Sequence, residues 1–525
     1  LEQFDQYCKR ERCPYAVLGE ISADDELVVT RGQGEEPAVD MPMSVLLGKT
    51  PKMHRDAEHA EPVKMETDKA VDTRKALYEV LAHPTVGSKK FLITIGDRTV
   101  GGMTVRDQMV GPWQVPVADA AVTAVSFEEF KGEAMAMGEK TPIAVSNAAA
   151  ASRMAIGEAL TNLVSVDVNL DRIILSANWM GACGVKGQDA ALYDGVSAAS
   201  SFCQELGVSI PVGKDSLSMK TSWKDQAGED KTVVSPVSLV VSAAAPVYDI
   251  RNNLLPMFAE SVRDSSLLLI DLGHGKDRLG GSVYSQVTQR FDSVTPDMED
   301  PKELKKFLEL IRSLSAKGAI LAYHDRSDGG LAAALCEMMF ASHVGVEIVA
   351  DALVSKDRTL NQALFNEELG AVIQVARGRA AEVERDFEAA GMGWSLKYLG
   401  NLTQDDHLNI YLEGKCVLSE DRVDLQKAWN EVSWQIARMR DNPECADSEY
   451  ELISDKHNGG LVLTMGFDPE ENLAAPFINT GVRPKVAILR EQGVNSQNEM
   501  ASAFLQAGFD AVDVHMTDLL EGRAK

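Results

Sequence analysis

Ile320-Leu-Ala-Tyr-His-Asp-Arg-Ser-Asp-Gly-Gly-Leu-Ala-Ala-Ala-Leu-Cys-Glu-Met-Met-Phe340 carries an apolar run of strand length, a polar turn and a long apolar segment. Ile320–Tyr323 reads as a strand, and Asp328–Phe340 as a helix opened by Gly329-Gly330. Around it, Val237–Ala245, Leu267–Leu272 and Ala371–Val375 have strand character, while Pro301–Ser315 and Arg379–Ala390 have helical spacing. Strands and helices alternate irregularly, with hairpin-length gaps. That order predicts an α+β architecture, sheets covered by helices, rather than a doubly wound parallel sheet.

Upstream, Phe91–Ile95 is a strand candidate turned by Gly96-Asp97-Arg98. Asp72–Leu81 and Asn147–Leu163 are helical, Ile173–Ser176 is a short strand, and Ala190–Leu206 is a helix stopped by Gly207. Downstream, Val423–Arg440 is a helix. Lys485–Leu489, Ser496–Ala507 and Ala511–His515 read as a βαβ unit opening a parallel sheet.

A chain of 525 residues, 45% apolar and 25% charged, has room for about three or four globular domains. Its net charge of −27 disfavours nucleic acid and anionic lipid as partners. No apolar run is long enough to span a membrane, and no signal peptide is visible. Seven cysteines without a zinc-ribbon spacing, Cys8 and Cys13 being the one close pair, suggest reduced thiols and a cytoplasmic location. The start at Leu1 suggests a piece of a longer polypeptide.

Four constellations bear on chemistry. Glu158 and Asn162 lie four apart on one helix among small apolar residues, and Asp119 lies in a small-residue stretch. Together they are either oxygen ligands for a hard cation such as Mg²⁺ or a solvated helix edge. His324–Gly330 joins a strand end to a helix start. Asp325 there is placed to hold metal and Ser327 to meet phosphate, unless the segment is only a cap and a turn. Gly273–Ser282 is a glycine-rich phosphate cradle or a plain turn. Pro211–Ser216, with Lys214, is a phosphate contact or a surface turn. No cysteine stands out as a nucleophile: Cys183 and Cys203 have no histidine near them in sequence, and Cys336 reads as core.

Arg106-Asp-Gln-Met-Val-Gly-Pro-Trp113, Gly157-Glu-Ala-Leu-Thr-Asn162, Ser176-Ala-Asn-Trp-Met180, Pro211–Ser216, His324–Gly330 and Phe365-Asn-Glu-Glu-Leu-Gly370 follow one another in this order. In combination they closely resemble the large bacterial formylglycinamide ribonucleotide amidotransferases, the phosphoribosylformylglycinamidine synthases of purine biosynthesis, over essentially the whole chain. That resemblance implies an ATP-dependent ligase working on formylglycinamide ribonucleotide with glutamine-derived ammonia. It implies a synthetase body of two pseudo-symmetric halves. Residues 1–84 would end the first half, and 85–235 and 236–415 would be a sheet-forming domain and a helix-covered α/β domain of the second. Residues 416–483 would be a linker, and 484–525 would open a flavodoxin-like class I glutaminase domain. It further implies that Asp119, Glu158, Asn162 and Asp325 are Mg²⁺ ligands. Ala118 and Ser327 would line an auxiliary ATP or ADP held without turnover, and Lys89 would reach its phosphates. No catalytic residue is expected in this chain: the catalytic ATP loop would belong to the remainder of the same polypeptide before Leu1, and the glutaminase nucleophile to that after Lys525.

Related synthetases, for aminoimidazole ribonucleotide or selenophosphate, give no reason for a glutaminase opening at 484–525. The alternative from a different class is a non-catalytic nucleotide-binding scaffold or ammonia-transfer subunit.

Overall fold

The computed structural model describes residues 1–32, 34–52, 54–61, 71–99, 101–290 and 292–524. They fall into two compact units, residues 58–466 and residues 1–57 with 467–525.

The larger unit is built on two sheets. The first has six strands in the order Thr104–Arg106, Ala121–Ala124, Gly132–Glu139, Ser238–Val247, Ile174–Met180, Ser209–Ser216. All neighbours are antiparallel except the last two, which run parallel, as the intervening crossover helix Gln188–Leu206 requires. One face is buried, through Ala134, Ala136, Leu175, Ala177, Val241 and Ala243. The strand alternation turns Met135 and Met137 outward, where both are more than half exposed.

Asn147 caps the helix Ala148–Leu163, accepting from Ala150 N–H at 3.0 Å. Thirteen of this helix's sixteen residues are buried. It lies so close to the first sheet that a Cβ on Gly138 would sit 2.1 Å from the Ala155 carbonyl oxygen. Only glycine permits that approach.

The second sheet has seven strands in the order Ile320–Asp325, Gly370–Ala376, Ser265–Asp271, Leu396–Thr403, Gly345–Val349, His407–Leu412, Lys415–Asp421. The only parallel pair among the described residues of this sheet joins Gly345–Val349 to His407–Leu412. Its central strands are buried on both faces. Leu268, Ile270, Ala371 and Ile373 share a core with the helices Ala148–Leu163 and Pro301–Ala316. Leu267, Leu269 and Val372 pack on the other side with the helix Gly330–Ser342. Residues of both sheets therefore meet in one core, and the Tyr323 hydroxyl donates to the Thr161 carbonyl at 2.7 Å across it.

The expected α+β architecture is the observed one. Two local expectations fail. Phe91–Ile95 is no strand: Lys90–Ile93 forms a short helix. No strand among the described residues pairs with it; it packs on the helix Arg422–Arg440, where Arg440 Nη1 donates to the Phe91 carbonyl at 2.6 Å. Pro211–Ser216 is no turn either, because the neighbouring strand Ile174–Met180 supplies its hydrogen-bond ladder.

In the smaller unit, Lys485–Arg490 and Asp510–His515 pair in parallel through the helix Gln497–Gln506. The helix Glu2–Arg10 ends against them. Arg10 Nε donates to both Asp518 oxygens at 2.9 and 3.2 Å, and Arg490 pairs with Glu11 at 2.7 Å. No described helix in either unit is long and apolar enough to cross a membrane.

Candidate functional site

The site forms where the strand Ile320–Asp325 ends beside the end of Gly132–Glu139 and the middle of the helix Ala148–Leu163. The loop after Gln114 brings in Asp119, while Ala118 N–H is tied back to the Gln108 carbonyl at 3.2 Å. Asp119, His324 and Asp325 each offer a ligand atom, all within 4.8 Å of one another.

His324 is clasped at both ring nitrogens. Nδ1 is 2.7 Å from Asp119 Oδ1, and Nε2 is 2.8 Å from Glu337 Oε2. A neutral imidazole has only one N–H, so two carboxylate partners call for the imidazolium. Burial opposes that charge, but Asp119 and Glu337 outweigh it and hold the His324 pKa well above the ordinary value. The pKa of Asp325 is driven well up by burial and then by the neighbouring Asp119 carboxylate.

Asp119 Oδ2 and Asp325 Oδ2 are both buried without a hydrogen-bond partner among the described residues. Two unsatisfied carboxylate oxygens side by side suit a hard divalent cation, which takes oxygen ligands and removes their mutual repulsion.

The second part of the site centres on Lys140, only 2% exposed. Its ammonium meets Asp328 Oδ1 at 2.6 Å, Ser327 Oγ at 3.0 Å, Glu158 Oε1 at 3.4 Å and Glu367 Oε2 at 4.0 Å. Burial disfavours its charge, but Asp328, Glu158 and Glu367 together outweigh that and raise its pKa well above the ordinary lysine value. Glu158 Oε2 accepts from Glu139 N–H at 2.6 Å, and Oε1 accepts from the Ser327 hydroxyl. Burial pushes the Glu367 carboxyl up to about 8. Glu367 Oε1 accepts from both Val283 and Gly329 N–H at 2.9 Å.

The seven residues named from the sequence are thus placed as follows. Asp119 and Asp325 meet directly. Glu158 and Ser327 bond each other, and Glu158 bears electrostatically on Asp325. Lys89 donates to the Gly87 carbonyl at 3.0 Å; burial lowers its pKa, against the pull of Glu337 and Asp328 in the same cluster. Ala118 precedes Asp119. Asn162 stands apart: its amide donates to the Met137 carbonyl at 3.3 Å.

The glycine-rich loop after Ser265–Asp271 has its amides engaged. Gly273 and Gly275 N–H donate to Asp271, Arg278 N–H to Glu368, and Gly280 N–H to the Val294 carbonyl. That pattern belongs to a self-closed turn. Lys214 donates to Ser216 Oγ at 2.8 Å on an exposed strand.

The sequence pattern points to no role for His324, Glu337, Lys140 or Glu367. One signal was available: Glu337 is the only charged residue in the otherwise apolar helix Gly330–Ser342. Lys140, at a strand end, gave none.

Three family models match in succession. Residues 88–246 match the FGAR-AT PurM_N-like domain, and residues 265–413 match the C-terminal domain of AIR synthase related proteins. Residues 483–525 match the CobB/CobQ-like glutamine amidotransferase domain. The chain thus carries FGAR-AT, AIR-synthase-related and glutamine-amidotransferase domains in succession. Among solved structures, Thermotoga maritima PurL complexed with FGAR is similar over 68% of this chain and 54% of that one, at 11% identity and a TM-score of 0.49. PurLQS from Thermotoga maritima matches over 69% and 52%, at 12% identity and 0.48. The E. coli hydrogenase maturation protein HypE matches over 55% and 84%, at 15% identity and 0.38. The chain spans about half the length of the amidotransferase-family structures it matches.

Proposed function

We propose that this chain is part of the ATP- and glutamine-dependent ligase that converts formylglycinamide ribonucleotide to formylglycinamidine ribonucleotide in the cytoplasm, and that it carries an auxiliary Mg²⁺-nucleotide site. The amidotransferase reading is supported by the succession of synthetase-type and glutamine-amidotransferase models on one polypeptide. We assign residues 85–235 and 236–415 as the sheet-forming and helix-covered domains of one synthetase half, 416–483 as linker, and 484–525 to the glutaminase fold. Formylglycinamide ribonucleotide, ATP and glutamine-derived ammonia are its partners, with the remainder of the same polypeptide.

The observation that carries the metal site is the pair of buried, unpartnered oxygens on Asp119 and Asp325. Asp119 and Asp325 would hold the ion, with Glu158 able to turn toward it from the same wall and Asn162 on the next turn of that helix. A bound Mg²⁺ would neutralise nucleotide phosphates. The chain's own groups do the rest. His324, fixed between Asp119 and Glu337, sets the orientation of the Asp119 carboxylate. The Ser327 hydroxyl and Ala118 would line the nucleotide, and Lys89 would reach its phosphates. Because the ligands come from an irregular loop, a helix and a strand end, occupancy clamps the two sheets together and stabilises the fold by mass action.

Nucleotide released by acid denaturation of the purified chain, quantified by chromatography, tests this. About one equivalent of ADP or ATP is expected, absent after Asp325→Asn. Full nucleotide content in Asp325→Asn would refute the assignment.

A further inference from the structure

We propose that Lys140 is a positioning residue for the phosphate end of this site, an inference that rests on the nucleotide reading above. Its ammonium has three N–H donors, and its three closest partners are Ser327, Asp328 and Glu158. These partners come from different parts of the fold. Lys140 follows the first-sheet strand Gly132–Glu139, Ser327 and Asp328 follow the second-sheet strand Ile320–Asp325, and Glu158 lies on the helix packed between.

Glu158 Oε1 is shared by the Ser327 hydroxyl and the Lys140 ammonium. When that carboxylate turns to a cation, Lys140 keeps its two shorter contacts, Ser327 at 3.0 Å and Asp328 at 2.6 Å. Ser327 therefore stays in place, and one ammonium N–H becomes free on the phosphate side. The lysine thus does two things there. It balances the buried Glu158 and the part-buried Asp328 carboxylates, and it offers a donor to phosphate when Glu158 is withdrawn.

The test is calorimetric titration of Mg²⁺-ADP into the nucleotide-stripped chain. Lys140→Met alone leaves Glu158, Asp328 and Glu367 uncompensated and endangers folding, so Lys140→Met is combined with Glu367→Gln. The side-chain amide introduced by Glu367→Gln keeps a carbonyl oxygen to accept from Val283 and Gly329. Loss of a charge-assisted contact should weaken Mg²⁺-ADP binding by about tenfold or more. Lys140→Arg, which keeps a buried cation, should stay within about threefold of wild type. Urea midpoints report stability separately, and titration stoichiometry reports the folded fraction, so a stability loss cannot pass for a site effect. A wild-type dissociation constant in the double variant overturns the proposal and leaves the nucleotide site standing. An unsubstituted chain that binds no Mg²⁺-ADP overturns both.

Discussion

Gly138→Ala probes how tightly the site depends on the packing beneath it. The new Cβ would lie 2.1 Å from the Ala155 carbonyl oxygen and 2.5 Å from the Ala159 nitrogen, both backbone atoms of the helix that carries Glu158. Neither can swing aside as a side chain would, so relief requires the helix Ala148–Leu163 to retreat by about 1 Å. Overpacking of this kind costs about 1–3 kcal/mol. The retreat also stretches the Glu139 N–H to Glu158 bond, now 2.6 Å, a contact to a charged group worth about 1.5–3 kcal/mol. Removing a glycine from the unfolded chain returns about 0.4–1 kcal/mol. The net expectation is a loss of about 1.5–5.5 kcal/mol. Urea unfolding followed by tryptophan fluorescence is a clean assay, because all six tryptophans lie within residues 58–466. Gly96→Ala is the control, since nothing lies within 4 Å of its Cβ and its φ is not positive. A Gly138→Ala loss below about 0.5 kcal/mol, the range of an ordinary surface change, would refute the reasoning.

Arg10→Ala removes the contacts to Asp518 and Asp513 in the smaller unit. Amide exchange in Asp510–His515 should quicken by about tenfold, read by mass spectrometry. A pH series follows from Glu367, whose folded pKa lies near 8 against 4.5 for the free group. Between those values the folded state keeps a proton that the unfolded chain releases, so this group's contribution to stability falls as pH rises from about 4.5 to 8. Glu367→Gln should flatten that slope in urea midpoints; an unchanged slope would place the titration elsewhere. Glu337→Gln should leave the fold intact but lower the pKa of His324, seen by NMR as an imidazole titration moved to lower pH; an unmoved titration would count against the clasp.

Much of this architecture is legible in the sequence because local and tertiary signals agree. Asn147 and Asp72 announce the helices they cap. The apolar runs Leu267–Leu272 and Ala371–Val375 are long enough to be strands buried on both faces. The strand Gly132–Glu139 is hidden because its buried positions are Gly132, Ala134, Ala136 and Gly138, while its methionines face outward. Composition there opposes strand propensity, and the helix packed on it demands small residues. Phe91–Ile95 misleads for the opposite reason, an apolar run with no neighbouring strand among the described residues to pair with. At the site, Asp119 and Asp325 are recognisable from their motifs, whereas Lys140 acquires meaning only when two sheets bring four side chains around its ammonium.

The most direct test of the metal-nucleotide site is equilibrium titration of ADP into the stripped chain, with Mg²⁺ and with EDTA, for wild type and Asp119→Asn. Saturable one-site binding that requires Mg²⁺ and is lost in Asp119→Asn is the expected result, because the buried Asp119 Oδ2 and Asp325 Oδ2 have no hydrogen-bond partner among the described residues. Equal ADP binding in EDTA, or undiminished binding by Asp119→Asn, would contradict it.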